Sequence, residues 1–158
     1  MTNDTKVCDH NNVGIFIWTN QKLLLVIRTG SQFGYTLPSG HVDGELTFED
    51  AARRELKAET GFSIINIEKV GEGKKENKCD RKDGSSHFWK LFKVITGGKL
   101  IPNENEVKKT AWFSISELKE LAEKTLKYNK KEITESEWEQ NPGLEPVILE
   151  WFQELKII

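Results

Sequence analysis

A chain of 158 residues with 37% hydrophobic and 30% charged side chains can bury a real core as one domain. Its net charge of −2 argues against the basic face that duplex nucleic acid demands, and no apolar run approaches membrane-spanning length. Two cysteines are too few for a disulfide framework.

The N-terminal stretch has no apolar segment of signal-peptide type, so a cytoplasmic protein is expected. Cys8-Asp9-His10 offers metal-ligating side chains. A zinc site usually takes four ligands in paired spacings, however, and neither CxxC nor HxxxH occurs, so no zinc site is expected. Val13 to Thr19 and Lys22 to Arg28 are rich in β-branched, aromatic and aliphatic residues and read as strands, joined by a tight hairpin at Asn20-Gln21. A loop follows Arg28, and Tyr35-Thr36-Leu37 is a short extended piece leading to Pro38-Ser39-Gly40.

Ser63 to Val70 and His87 to Thr96 read as two further strands. The charged stretch between them, Glu72 to Ser86, is expected to be a flexible turn, either a hairpin loop or a lid over a substrate. Val107 to Phe113 is another strand, and Ser114 caps a helix after it. Lysines at 119–131 are interleaved with glutamates, as on a solvated helix face. Lys130 to Gln140 is polar and carries no clear element. Glu145 to Leu155 is an amphipathic helix with Val147, Ile148, Trp151 and Phe152 inward. With no internal repeat or linker, residues 1–158 read as a single α/β (α+β) domain.

The most informative stretch is Gly40 to Phe62. Thr47 and Asp50 make a capping-box-like helix start, and Gly61 supplies the left-handed stop. Phe48, Ala52 and Leu56 recur at i, i+4 and i+8 and face a core. Glu55 and Glu59 lie one turn apart beside that stripe. Like charges at this spacing repel, and a divalent cation between them would turn the repulsion into a ligand set; a solvated charge face is the alternative.

This stretch resembles the signature box of the Nudix hydrolases: glycine, five residues, glutamate, seven residues, then Arg-Glu-apolar-x-Glu-Glu-x-Gly-apolar. Gly40, Arg54, Glu55, Leu56, Glu59, Gly61 and Phe62 fall on its fixed positions. Leu46 and Ala58 stand where the pattern has glutamates; Glu45 could replace the former only with a one-residue shift in the loop. The resemblance implies a Nudix-like α/β/α sandwich with a mixed β-sheet. It also implies metal-dependent hydrolysis of a diphosphate bond in a nucleoside diphosphate linked to another group, with a nucleoside triphosphate as first choice. Nucleotide sugars and dinucleoside polyphosphates stay open. A nucleotide-binding module that has lost turnover is the alternative, favoured by Leu46 and Ala58.

On this resemblance Glu55 and Glu59 are metal ligands for Mg²⁺ or Mn²⁺, Arg54 organises a carboxylate, and Gly40 lets the loop approach closely. Relatives recruit a further glutamate from outside the box. Glu106 is the first choice as ligand or catalytic group and Glu104 the second, an exposed acidic turn being the alternative. Substrate binding is assigned to Gly40, Arg28, Tyr35 and Leu144. Leu144 stands where some purine-nucleotide relatives have an asparagine before Glu-Pro-Val. Trp18, Phe33 and Trp89 are further stacking candidates, against core packing for each. His41 and His87 read as local hydrogen-bonders rather than bases. The partner expected is a small nucleotide, with no nucleic acid duplex and no membrane; a homodimer is left open.

Overall fold

The computed structural model describes residues 6–31, 33–45 and 47–158; Leu46 lies outside them. The expected first strand is divided between two sheets. β1 (Asn11–Phe16) belongs to one and β2 (Trp18–Thr19) to the other. Side chains alternate along an extended chain, so Val13, Ile15 and Ile17 enter one core while Phe16 enters a second. Asn20 and Gln21 both have positive φ, 52° and 64°, which gives the tight hairpin into β3 (Lys22–Arg28).

The segment expected to be a loop contains a strand, β4 (Ser39–His41), which pairs antiparallel with β1 and sets Gly40 opposite Val13. Helix α1 (Phe48–Thr60) starts as its sequence predicts: Thr47 Oγ1 accepts the Asp50 N–H at 3.0 Å. Gly61 closes it at φ 80°. Ala51, Ala52 and Leu56 bury its inner face against β1 and the strand after it, β5 (Ser63–Lys75).

β5 runs further than expected, because its antiparallel pairing with β6 (His87–Gly97) continues to Lys75–His87, with register shifts absorbing the irregularity. The remaining turn, 76–86, is tied to the body of the protein. Cys8 N–H donates to Lys82 O at 2.9 Å, and Arg81 forks onto Asp43 at 2.5 and 2.7 Å. β1 pairs parallel with β6, so the four strands β4-β1-β6-β5 form a mixed sheet. β7 (Val107–Phe113) joins β2 and β3 in an antiparallel sheet of three.

Three helices follow. α2 (Ile115–Asn129) is capped by Ser114, which accepts the Glu117 N–H at 3.2 Å. α3 (Glu135–Gln140) forms in the stretch that carried no clear element; its Trp138 is buried and stacks on Tyr128 with ring centroids 4.1 Å apart. α4 (Pro146–Glu154) opens with proline in its first turn and buries Val147, Ile148, Trp151 and Phe152 as predicted. α1 covers one core, and α2 with α4 covers the other, giving the helix–sheet–helix arrangement expected. Among the described residues no helix is long and apolar enough to cross a membrane.

Candidate active site

The C-terminal half of α1 faces β4 across the mouth of an open cavity of about 660 Å³. Close approach is possible because residue 40 has no side chain: a Cβ there would lie 2.3 Å from Glu55 Cδ and 2.6 Å from Glu55 Oε2. Arg54 clamps the same junction. Its guanidinium donates to the carbonyls of His41 and Val42 at 2.5 and 3.1 Å, to Glu45 at 2.8 Å and to Glu55 at 3.2 Å. Burial works against the Arg54 charge, but Glu45 and Glu55 more than offset it and raise its pKa.

Glu59 lies deeper. Its side chain is 2% exposed against 18% for Glu55. One oxygen accepts the Ser39 N–H at 2.9 Å, and the other is 3.5 Å from Arg28 Nε. Arg28 is itself held by Ser39, donating to its hydroxyl at 2.7 Å and to its carbonyl. Burial pushes Glu59 up to about 8, opposed by Arg28 and reinforced by Glu55. Burial also raises Glu55, with Arg28 and Arg54 opposing it and Glu106 adding to it. Two carboxyls that both resist ionisation, on one helix face, leave a site short of positive charge.

Arg28, Gly40, Arg54, Glu55, Glu59 and Glu106 all line the cavity, whereas Glu104 is not among its lining residues. The backbone carbonyls of both glutamates are occupied, accepting from Thr29 N and Thr29 Oγ1. Ala58 lines the cavity too, so the position where the family pattern has a glutamate contributes no ligand. Tyr35 and Leu144 do not reach it. Both are buried in the second core, bridged to one another as adjacent extended segments. Consecutive residues of extended chain point to opposite sides, so Glu145 rather than Leu144 faces the cavity. Its pKa is raised by burial, against the pull of Arg28. Of the stacking candidates, Phe33 and Trp89 line the cavity, while Trp18 packs on the second core.

Sequence reasoning did not assign Ser39 or Glu145 to the site. The Glu-Pro-Val motif is the available signal for Glu145, which follows Leu144 by one residue. Ser39 acts partly through its backbone, which leaves no mark in the sequence.

A family model described as NUDIX domain matches residues 9–136. NAD-capped RNA hydrolase NudC of Vibrio atlanticus (strain LGP32) is 27% identical over 109 residues, which are 68% of this chain and 38% of that protein. This chain therefore spans well under half the length of that relative. Among solved structures, a NUDIX hydrolase from Nitrosomonas europaea superposes with a TM-score of 0.63 at 20% identity, over 93% of this chain and 88% of that one. The NUDIX domain of Shewanella oneidensis NrtR, crystallised with ADP ribose, gives 0.58 at 16% identity, over 76% and 82%. At these identities the structural likeness is one of fold.

Proposed function

Because this chain belongs to the Nudix hydrolase family, we propose that it hydrolyses a diphosphate bond in a nucleoside diphosphate linked to a further group. The observation that carries this reading is the fit of Glu55 into the space left by the missing side chain of Gly40, one turn from Glu59 and clamped by Arg54. The donor set is all carboxylate oxygen, which suits a hard divalent cation such as Mg²⁺ or Mn²⁺. Glu55 and Glu59 would hold it, with Glu106, which lines the same cavity, as outer ligand or base. Bound there, such a cation would neutralise phosphate charge and lower the pKa of a water.

The chain's own residues supply the rest. Arg54 fixes the orientation of Glu55 through a charge-assisted hydrogen bond, so that one carboxylate geometry is set before substrate arrives. Arg28 offsets the buried charge of Glu59 and keeps the pair from being purely repulsive. Attack of water on one phosphorus of the P–O–P bond releases the two phosphate-bearing halves, and a carboxylate of the site takes the proton. Phe33 on the cavity wall is a stacking surface for a base.

A nucleoside triphosphate giving monophosphate and pyrophosphate is the first substrate to try. The ADP ribose bound to the NrtR domain carries the same kind of diphosphate linkage, and supports widening the set to nucleotide–sugar conjugates. Phosphate and pyrophosphate release over a panel of such compounds, with Mg²⁺ and with Mn²⁺, tests the reading. Turnover of one of them is expected. Tight binding of a nucleotide without any turnover would favour the second reading, a binding module, for which Ala58 at the cavity wall is the supporting observation.

A further inference from the structure

Beside the carboxylate site lies a second group of side chains with different chemistry. Cys8, His41, Cys79 and His87 come from four separate segments, and one ligand-capable atom of each lies within 4.8 Å of all the others. Cys8 Sγ is 3.4 Å from His41 Nε2 and 3.2 Å from His87 Nε2. In a tetrahedral zinc site, with Zn–S of about 2.3 Å and Zn–N of about 2.0–2.1 Å, sulfur and nitrogen ligands stand about 3.6 Å apart. The two distances from Cys8 Sγ fall short of that spacing by only a few tenths of an ångström, and the whole group stays within 4.8 Å.

Three features around the group favour ligation over simple packing. Trp89 Nε1, which can only donate, is 3.2 Å from Asn77 Oδ1, and His87 Nδ1 is 3.2 Å from the same oxygen. His87 must then carry its proton on Nδ1, and its Nε2 lone pair is aimed into the cluster. This is the outer-shell pattern that orients metal-binding histidines. Each sulfur accepts a backbone N–H from two residues on, His10 N at 3.3 Å to Cys8 and Arg81 N at 3.4 Å to Cys79. These bonds hold each sulfur in place at the cluster. Finally, Cys79 sits against Gly84, where a Cβ would come within 2.1 Å of its sulfur, so the turn is shaped around that sulfur.

We propose that Cys8, His41, Cys79 and His87 form a structural tetrahedral site for Zn²⁺, distinct from the carboxylate site on α1. Four protein ligands close the coordination shell and leave no position for substrate, which assigns the ion to structure rather than chemistry. Two thiolates balance its charge. Long-range spacing hid the site from sequence reasoning, which looked for paired local motifs and expected no zinc.

The ion would join the N-terminal segment, β4, the 76–86 turn and the start of β6. Asn77 to Arg81 line the cavity, and His41 is the neighbour of Gly40. Zinc would thus fix one wall of the substrate cavity and the strand that approaches Glu55.

The test is metal content by mass spectrometry of the full chain expressed with zinc and purified under reducing conditions without chelator. About one zinc per chain is expected. Replacement by Co²⁺ should give the visible bands of tetrahedral cobalt and a thiolate-to-cobalt charge-transfer band. Cys79→Ser should lower zinc affinity by at least about tenfold and should lower the melting temperature, while Glu59→Gln keeps its zinc. The cobalt spectrum and the zinc content of the unsubstituted protein keep the test valid if Cys79→Ser fails to fold. Zinc-free protein from zinc-replete cells, a Cys8–Cys79 disulfide in its place, or zinc that leaves with Glu59→Gln but not with Cys79→Ser would each overturn the assignment.

Discussion

Glu45 Oε1 lies 2.8 Å from Arg54 Nη1, one residue before the position where the family pattern has its glutamate. The loop thus brings a carboxylate to Arg54 although Leu46 occupies the expected place. Both partners are about one-third exposed, so the pair should add only ~0.2–1 kcal/mol to stability. Its effect should appear in activity, through the orientation of Arg54 and hence Glu55. Glu45→Gln is expected to lower kcat about tenfold with the melting temperature nearly unchanged. Steady-state kinetics beside a thermal melt check this; an unaltered kcat would leave the pair as surface charge.

Gly40→Ala should separate the fold from the site. The added Cβ would meet the flexible end of Glu55 rather than backbone, so the carboxylate can swing away while the strand stays paired. Displacing a catalytic group by about an ångström costs roughly a hundredfold in rate. A fall in kcat of that size with a small change in melting temperature is the expected result.

The buried Glu59 makes stability depend on pH. A carboxyl raised on folding from 4.5 to about 8 favours the folded state only while protonated. Its stabilising contribution is full below about 4.5 and is lost as pH rises through about 8. Without added Mg²⁺, melting temperature should therefore decline across that window, and Mg²⁺ should restore it at the alkaline end. Glu59→Gln, neutral throughout, should lack this part of the decline and should lose turnover by orders of magnitude. Melts of both proteins at several pH values, with and without Mg²⁺, decide it.

Glu106 and Glu104 should behave differently. Glu106 lines the cavity and its charge acts on both Glu55 and Glu59. Glu106→Ala is expected to raise the Mg²⁺ concentration for half-maximal activity about tenfold, whereas Glu104→Ala should be near neutral. Titration of activity with Mg²⁺ reads this directly, and equal effects would move the outer ligand elsewhere.

Ala58 offers a gain of function. It lies on the cavity wall between Glu55 and Glu59 on α1, so a glutamate there adds a third carboxylate. Ala58→Glu should lower the metal requirement while destabilising the protein in metal-free buffer, and Mg²⁺ should recover that loss. A variant whose melting temperature and activity both ignore Mg²⁺ would mean that this face carries no cation.

What could be read from the chain alone was local in sequence. The caps of α1, the facing of Glu55 and Glu59 one turn apart, the Asn20-Gln21 hairpin and the apolar face of α4 are set by neighbours a few residues away. Helical period, capping chemistry and turn conformation act at that range. The tertiary structure decided what depends on pairing between distant segments. Ser39–His41 became a strand because β1 offered it an edge. Leu144 turned into the core and Glu145 toward the cavity, since their bridge to Tyr35 set which side of the extended chain each faces. Cys8 met His41 and His87, 33 and 79 residues away, only because β1, β4 and β6 lie side by side in one sheet. Sequence spacing carries no trace of such a meeting: the loops between those segments close at an entropic cost that rises only slowly with length, and the sheet's hydrogen bonds and buried cores offset it.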